Sequence, residues 1–287
     1  MTISVAHLGP VGTYAEAAAL AYANYLTKET TQQCLLCPFP TIAQTMMAVA
    51  AGDVELAVVP VENSIEGAVT MTLDSLWQLE GLHIQQAIVL PVAHALLSKA
   101  SSLEEVKTVY SHPQALAQCQ GWLQEFLPNV QLIPANSTTE GLKYLDQDNT
   151  ATISSLRAAD LYNLPILAHP INDYRDNCTR FWVLSLEAKT KSPLSLSVKG
   201  SYTSLAFSLP ANVPGSLLKP LQVFNLLGIN MSRIESRPTK RSLGEYLFFI
   251  DLEADINSHG MQLALELLTL HTETLKVFGS YGLMVVD

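Results

Sequence analysis

Residues 3–26 read ISVAHLGPVGTYAEAAALAYANYL, and this stretch decides the fold class. Ile3 to Leu8 is a short β-rich run, Gly9-Pro10-Val11-Gly12 has turn chemistry, and an alanine-rich helical run follows. The same design, a hydrophobic strand ending in a polar loop with a helix starting at once, recurs at Pro60-Val61-Glu62-Asn63-Ser64 and at Tyr110-Ser111-His112-Pro113-Gln114. Working outward, the further strand candidates are 33–39, 55–61, 87–93, 108–110, 130–134, 151–153 and 181–186, with helical stretches between most of them. Strand and helix in alternation give an α/β fold in which helices cover a sheet. Eight strands fit one open sheet; the arrangement preferred here is two lobes facing a cleft, with a crossover near 81–91 and a return near 169.

Residues 187–201, EAKTKSPLSLSVKGS, are polar, lack aromatics and contain Pro193 and Gly200, which is linker composition. They divide a first domain, 1–186, from a second, 202–287. In the second the order is strand 204–209, helix 215–227, strand 230–235, strand 245–252, helix 261–272 and strand 275–281. This is βαββαβ, the ferredoxin-like pattern.

The chain has 287 residues and a net charge of −10, and the excess acid is confined to the first part: residues 1–186 carry 7 basic and 17 acidic side chains, the remainder 9 of each. A nucleic-acid partner is therefore not expected, since phosphate binding needs a basic face. An anionic ligand must rely on local donors such as helix N-termini, hydroxyls and a few arginines. No apolar run approaches the ~20 residues of a spanning helix, so no membrane association is expected. The start lacks a basic n-region and a long apolar h-region, so the chain is read as cytoplasmic. Cys34 and Cys37 form a CxxC with no second pair or nearby histidine, so neither metal nor redox chemistry is expected there.

The helix N-termini after the three loops are expected to cluster at one sheet edge, where free N–H groups attract anions. Taken singly, Thr13, Ser64 and Ser111 read equally as helix caps. Asp176-Asn177-Cys178-Thr179-Arg180-Phe181 places an arginine at a strand mouth, suited either to a ligand carboxylate or to an ion pair with Asp173 or Asp176. There is no HExxH zinc motif, no GxSxG elbow, and no full dinucleotide or P-loop fingerprint.

At these same residues the chain resembles the prephenate dehydratase family over nearly its whole length. The matches are, in order, HLGPVGTYAEAAAL (7–20), VVPVENSIEGAV (58–69), VYSHPQALAQC (109–119) and NCTRFWVL (177–184), the last containing the family's TRF signature. The C-terminal part resembles an ACT domain: Val213-Pro214-Gly215-Ser216-Leu217 stands at the first phenylalanine-binding motif, with Asn212 before it, and Glu235-Ser236-Arg237-Pro238 is the ESRP motif. Ser216 stands where alanine is usual, and no helical extension resembling a chorismate mutase domain precedes residue 1, so a monofunctional enzyme is expected.

The resemblance implies a two-lobed catalytic portion like type-2 periplasmic-binding-protein folds plus a ferredoxin-like ACT domain. It implies conversion of prephenate to phenylpyruvate with loss of carbon dioxide and water, without metal or organic cofactor, in a homodimer or homotetramer with L-phenylalanine as effector. By motif, Thr179 polarises the leaving hydroxyl, and Asn63, Ser111 and Gln114 orient the substrate. Thr13, Ser64 and His112 help hold it, beside Phe181. Glu62, if buried and protonated, is a candidate proton source, and Arg180 pairs with a substrate carboxylate or anchors the loop. Arogenate dehydratase, or a two-lobed binding module without catalysis, are the alternative readings.

Overall fold

The computed structural model describes residues 2–186 and 202–286; the expected linker, 187–201, lies outside the described residues. The first lobe runs β1 (Ile3–Leu8), α1 (Tyr14–Thr30), β2 (Cys34–Phe39), α2 (Ile42–Ala50), β3 (Leu56–Asn63), β4 (Gly67–Ala68), α3 (Thr70–Gln78) and β5 (Leu82–Pro91). The second runs β6 (His94–Ser98), β7 (Thr108–Ser111), α4 (Pro113–Gln118), α5 (Gln120–Phe126), β8 (Gln131–Pro134), β9 (Thr150–Ser155), α6 (Leu156–Tyr162) and β10 (Ile166–Ala168). Strand β11 (Cys178–Leu186) returns to the first lobe. The C-terminal unit follows as β12 (Tyr202–Ser208), α7 (Leu218–Leu226), β13 (Met231–Pro238), β14 (Tyr246–Leu252), α8 (His259–Thr269) and β15 (Thr274–Val285).

Two sheets organise these strands. The second lobe has its own, ordered β10-β6-β9-β7-β8. The first lobe and the C-terminal unit share the other, ordered β13-β14-β12-β15-β5-β11-β3-β1-β2 with β4 folded back on β3. The C-terminal unit has the expected ferredoxin-like order, all antiparallel, but β15 runs on past it to pair in parallel with β5. One apolar cluster accordingly spans the junction, joining Trp182, Leu73 and Met46 to Phe249, Phe278 and Tyr281. Burying each such side chain contributes about 1.5–3 kcal/mol.

The chain crosses between sheets after Pro91 and returns over 169–177. The two crossing segments are tied together: Val92 N–H donates to the Asn177 carbonyl (2.8 Å), and Asn172 bonds Val92 and His94 through its side chain.

Several expectations need correction. Strand β5 begins at Leu82, earlier than the apolar run suggests, because the buried Gln86 interrupts that run. Strands β6 and β10 were not foreseen; β6, HALLS, is buried throughout and has no polar alternation to mark it. The three loops do not share one sheet edge, since 9–14 and 60–64 belong to the first sheet and 110–114 to the second. Nor does β3 lead straight into a helix. The Asn63 side-chain oxygen accepts from the N–H groups of Ile65 and Glu66 (3.1 Å each), turning the chain into β4 before α3 starts at Thr70. Cys34 and Cys37, both on β2, are free thiols.

At Gly279 the backbone of β15 approaches β5 too closely for a side chain. A Cβ there would stand 2.7 Å from the Ile84 carbonyl oxygen, and φ is +136°. Gly279→Ala is therefore expected to destabilise the fold by about 2 kcal/mol or more, read as a lower urea midpoint; an unchanged midpoint would show that the β15–β5 junction yields freely.

Candidate active site

A cleft of about 900 Å³ opens between the two sheets, lined from the first lobe by Thr13, Tyr14, Asn63, Thr179 and Phe181 and from the second by His94, His112, Gln114, Gln118 and the loop 136–143. Register accounts for the first set. β11 lies antiparallel between β3 and β5, pairing Thr179 with Asn63 and Arg180 with Glu62. Successive side chains on a strand face opposite ways. Thr179 and Phe181 therefore face the cleft, while Arg180 and Trp182 face the layer behind it.

Arg180 is accordingly outside the cleft. Its guanidinium bonds Asp251 of β14 (3.2 Å) and lies 3.4 Å from Glu62. Asp251 is fully buried and also takes a two-pronged contact from Arg233 (2.7 and 3.3 Å) and a bond from Ser204. Arg233 in turn sits over the Trp182 ring, 5.4 Å from its centroid. Glu62 is only partly buried, faces Arg180 and does not line the cleft.

The other positions separate in the same way. Ser111 is fully buried and donates to the Ile153 carbonyl (2.6 Å), which holds β7 to β9 rather than a ligand. Ser64 lies outside the cleft, accepting from Cys178 N–H (3.0 Å) and donating to Asn177. Thr13 lines the cleft and also caps α1, accepting from Glu16 N–H at 3.4 Å. His112 caps α4 through Nδ1, accepting from Gln114 N–H (3.3 Å), and Gln114 stands exposed at the rim.

Behind the cleft surface runs a chain of polar side chains. Asn63 Nδ2 donates to Thr179 Oγ1 and to Asn177 Oδ1, both at 2.9 Å. Asn177 Nδ2 donates to Gln118 Oε1 (3.0 Å), which also faces His94 Nε2 (3.0 Å). His94 Nδ1 lies 3.3 Å from the Tyr14 hydroxyl, whose proton goes to the Ala93 carbonyl (2.7 Å). Gln118 Nε2 has no partner among the described residues, although the side chain is 95% buried and lines the cleft. Sequence reading passed over Gln118, His94 and Lys143. The signal for Gln118 was present: Ala115 and Gln118 share the buried face of α4, where a glutamine needs a reason.

The electrostatics favour neutral donors. Burial lowers His94, against a partly offsetting bond from Gln118, and lowers His112, so both imidazoles are neutral at pH 7. Burial also raises the Tyr14 phenol far above its usual range. Glu140, also lining the cleft, is held below the usual carboxyl range by hydrogen bonding at Asn136, so it supplies no acid. Lys143 is the one ammonium among the lining residues, and the N-terminus of the 17-residue α1 adds partial positive charge. Among the described residues no cluster of three or more His, Cys, Asp or Glu is placed to hold a metal, and no helix is long and apolar enough to cross a membrane.

In the C-terminal unit a second cavity, about 340 Å³, is lined by Asn212, Arg241, Glu245 and Glu273. Of the motif residues only Asn212 reaches it. Val213-Pro214-Gly215-Ser216-Leu217 forms a turn ahead of α7, closed by the bond of Ser216 to Val213, and the helix starts at Leu218 instead of Gly215. Glu235, Ser236, Arg237 and Pro238 lie on β13, with Arg237 bonded to Asp74 of α3 at 2.9 and 3.1 Å.

Two α/β lobes joined by a double crossing, with a donor-lined cleft between them and a ferredoxin-like unit behind, define the class as a two-lobed α/β protein. A family model described as prephenate dehydratase matches residues 5–189, and the chain belongs to that family. It is 40% identical to the bifunctional chorismate mutase/prephenate dehydratase of Aquifex aeolicus over 97% of this chain and 73% of that protein. It is 34% identical to the prephenate dehydratase of Lactococcus lactis subsp. cremoris over 98% of each. Among solved structures it is similar to the prephenate dehydratase of Arthrobacter aurescens in complex with L-Phe, with a TM-score of 0.84 and 32% identity over 98% of this chain and 90% of that one.

A clasp between α1 of the first lobe and α6 of the second offers a test of lobe contact. Glu16 of α1 takes two bonds from Arg157 of α6 (2.7 and 2.8 Å) and one from Gly12 N–H (2.9 Å). Burial opposes the Glu16 charge, but these bonds and the Arg157 and His7 charges together keep its carboxyl below the usual value. A depressed folded-state value means the clasp stabilises fully above about pH 4.3 and is lost as pH falls below that. The melting temperature of the wild type is expected to drop more steeply on acidification through this range than that of Glu16→Gln; parallel curves would show the clasp contributes nothing.

Proposed function

We propose that this chain is a carbon–oxygen lyase that converts prephenate to phenylpyruvate, water and carbon dioxide, and that its C-terminal unit is an ACT domain binding L-phenylalanine. The observation that carries the catalytic reading is the Thr179–Asn63 pair. Asn63 donates to Thr179 Oγ1, and the Thr179 O–H has no acceptor among the described residues, so it points its proton into the cleft. Accepting one bond strengthens the other that a hydroxyl donates.

In the reaction the bond from the ring to its carboxylate breaks, its electron pair enters the ring, and the ring hydroxyl leaves with the pair of its own bond. Carbon dioxide departs, and the hydroxyl takes one proton to become water. A threonine is too weak an acid to surrender its proton at neutral pH, and the cleft holds no carboxyl raised towards neutrality. Thr179 therefore stabilises the departing hydroxide as a donor, and solvent makes good the proton. The α1 N-terminus with Thr13, and Lys143 with the hydroxyls of 137–139, are the carboxylate sites.

The relative solved with L-Phe supports the effector reading, as does the polar cavity beside Asn212.

Incubation of the purified chain with prephenate is expected to yield phenylpyruvate; turnover of arogenate alone, or of neither, overturns the assignment. Thr179→Ala should keep the circular dichroism spectrum and lower kcat by about 10²–10³-fold with little change in KM, with Thr179→Ser intermediate. Equal turnover by the alanine variant removes Thr179 from the mechanism. Calorimetry with L-phenylalanine should show binding accompanied by inhibition, and no heat and no effect would leave the C-terminal unit purely structural.

A further inference from the structure

Asn177 does not line the cleft, yet two of its side-chain bonds are to residues that do, Asn63 and Gln118. It is 98% buried, sits on the returning segment at the double crossing, and bridges the lobes: Oδ1 accepts from Asn63 of β3 and from Ser64, and Nδ2 donates to Gln118 of α4. These bonds have a direction. Asn63 must present its oxygen to the N–H groups of Ile65 and Glu66, so its Nδ2 is fixed as the group facing Asn177. Asn177 then has its oxygen towards Asn63 and its nitrogen towards Gln118. Gln118 receives that N–H, and the imidazole of His94 faces the same oxygen. The amide nitrogen of Gln118 is left buried and without a partner among the described residues, on a side chain that lines the cleft.

We propose that Asn177 is a positioning residue that sets the polarity of this amide chain, so that the chain ends at the cleft in a donor for an anionic ligand. Backbone N–H groups of the β3 turn anchor one end, and each amide passes the orientation to the next. An inverted Gln118 would present a carbonyl to the anion and set its N–H2 against that of Asn177. The inference rests on the prephenate reading for the charge of the ligand; the direction of the chain rests on the geometry alone.

The test is Asn177→Asp. An ionised carboxylate still accepts from Asn63 but cannot donate to Gln118, which then turns to donate and offers its oxygen to the substrate. Protonation restores one acceptor and one donor, which is the pattern of the amide. At neutral pH the variant is expected to show KM raised about 10–100-fold, the cost of one mispaired buried group, with kcat changed far less because the Thr179–Asn63 bond survives. The ratio of variant to wild-type KM should fall towards one as pH is lowered. Titratable groups around the position are His94 from β6, Cys119 beyond α4, Glu66 after β3, and Asp173 and Asp176 on its own segment; all are present in the wild type, so the ratio isolates the introduced carboxyl.

Melting temperature gives a reading without substrate: the deficit of the variant should shrink on acidification, because a buried carboxyl that must donate is stable only when protonated. A KM ratio or a melting deficit that does not change with pH would overturn the proposal. Inactivity of the wild type towards prephenate would sink the functional reading alone, since the melting comparison still decides this one. If Asn177→Asp does not fold at any pH, Gln118→Glu decides: the introduced carboxylate can accept from both Asn177 and His94, so a folded protein with raised KM is expected, and loss of folding or an unchanged KM would refute the assigned direction.

Discussion

The period-two alternation of strand β11, held between two antiparallel neighbours, is the constraint on which the rest depends. Its register on β3 fixes Thr179 opposite Asn63 and Arg180 opposite Glu62. One residue of slip would exchange the faces, sending the hydroxyl into the rear layer and the guanidinium into the cleft. Pairing on both sides, and the burial of Phe181, Trp182, Val183 and Leu184, make that slip prohibitive. The strand is thus the wall of the cleft and the floor on which the C-terminal unit stands.

Recognition of an anion in an acidic chain follows from what the cleft lacks. The lining holds one ammonium, two neutral imidazoles and a series of hydroxyls and amides, so an incoming carboxylate meets dipoles instead of matched charges. Fixed dipoles suit a reaction in which negative charge moves from a carboxylate to a departing hydroxyl. A strong cation at the carboxylate would hold the charge where it starts and oppose decarboxylation, whereas in the proposed mechanism Thr179 is a donor where it arrives.

Sequence legibility followed the range of the interactions. β1 was read to the residue, and the βαββαβ order of the last third was legible because each element carries its own local pattern. The cleft residues Thr179, Asn63 and Thr13 were legible through motifs. Arg180 was not, because its partner Asp251 lies 71 positions away in another unit, and a strand-mouth arginine looks alike whichever face it takes. The placement of Ser111 and Ser64 was not legible for a related reason: a hydroxyl beside a helix start serves a carbonyl, a backbone N–H or a ligand equally well, and only tertiary contacts choose. The continuation of β15 onto β5 left no mark in the sequence beyond Gly279, whose need for close approach is visible only once both strands are placed.

The ion cluster behind β11 limits how the two parts of the chain can move. Asp251 is fully buried with three donors, two of them arginines, and burial works against the Arg233 charge until the carboxylate outweighs it. Breaking such a pair leaves an uncompensated buried charge, at a cost of about 3–5 kcal/mol. Displacement of β14 far enough from β11 to break these pairs is therefore disfavoured unless Arg180 gains new partners. Arg180 adjoins Thr179 on the same strand, so one peptide unit separates the ion cluster from the cleft hydroxyl.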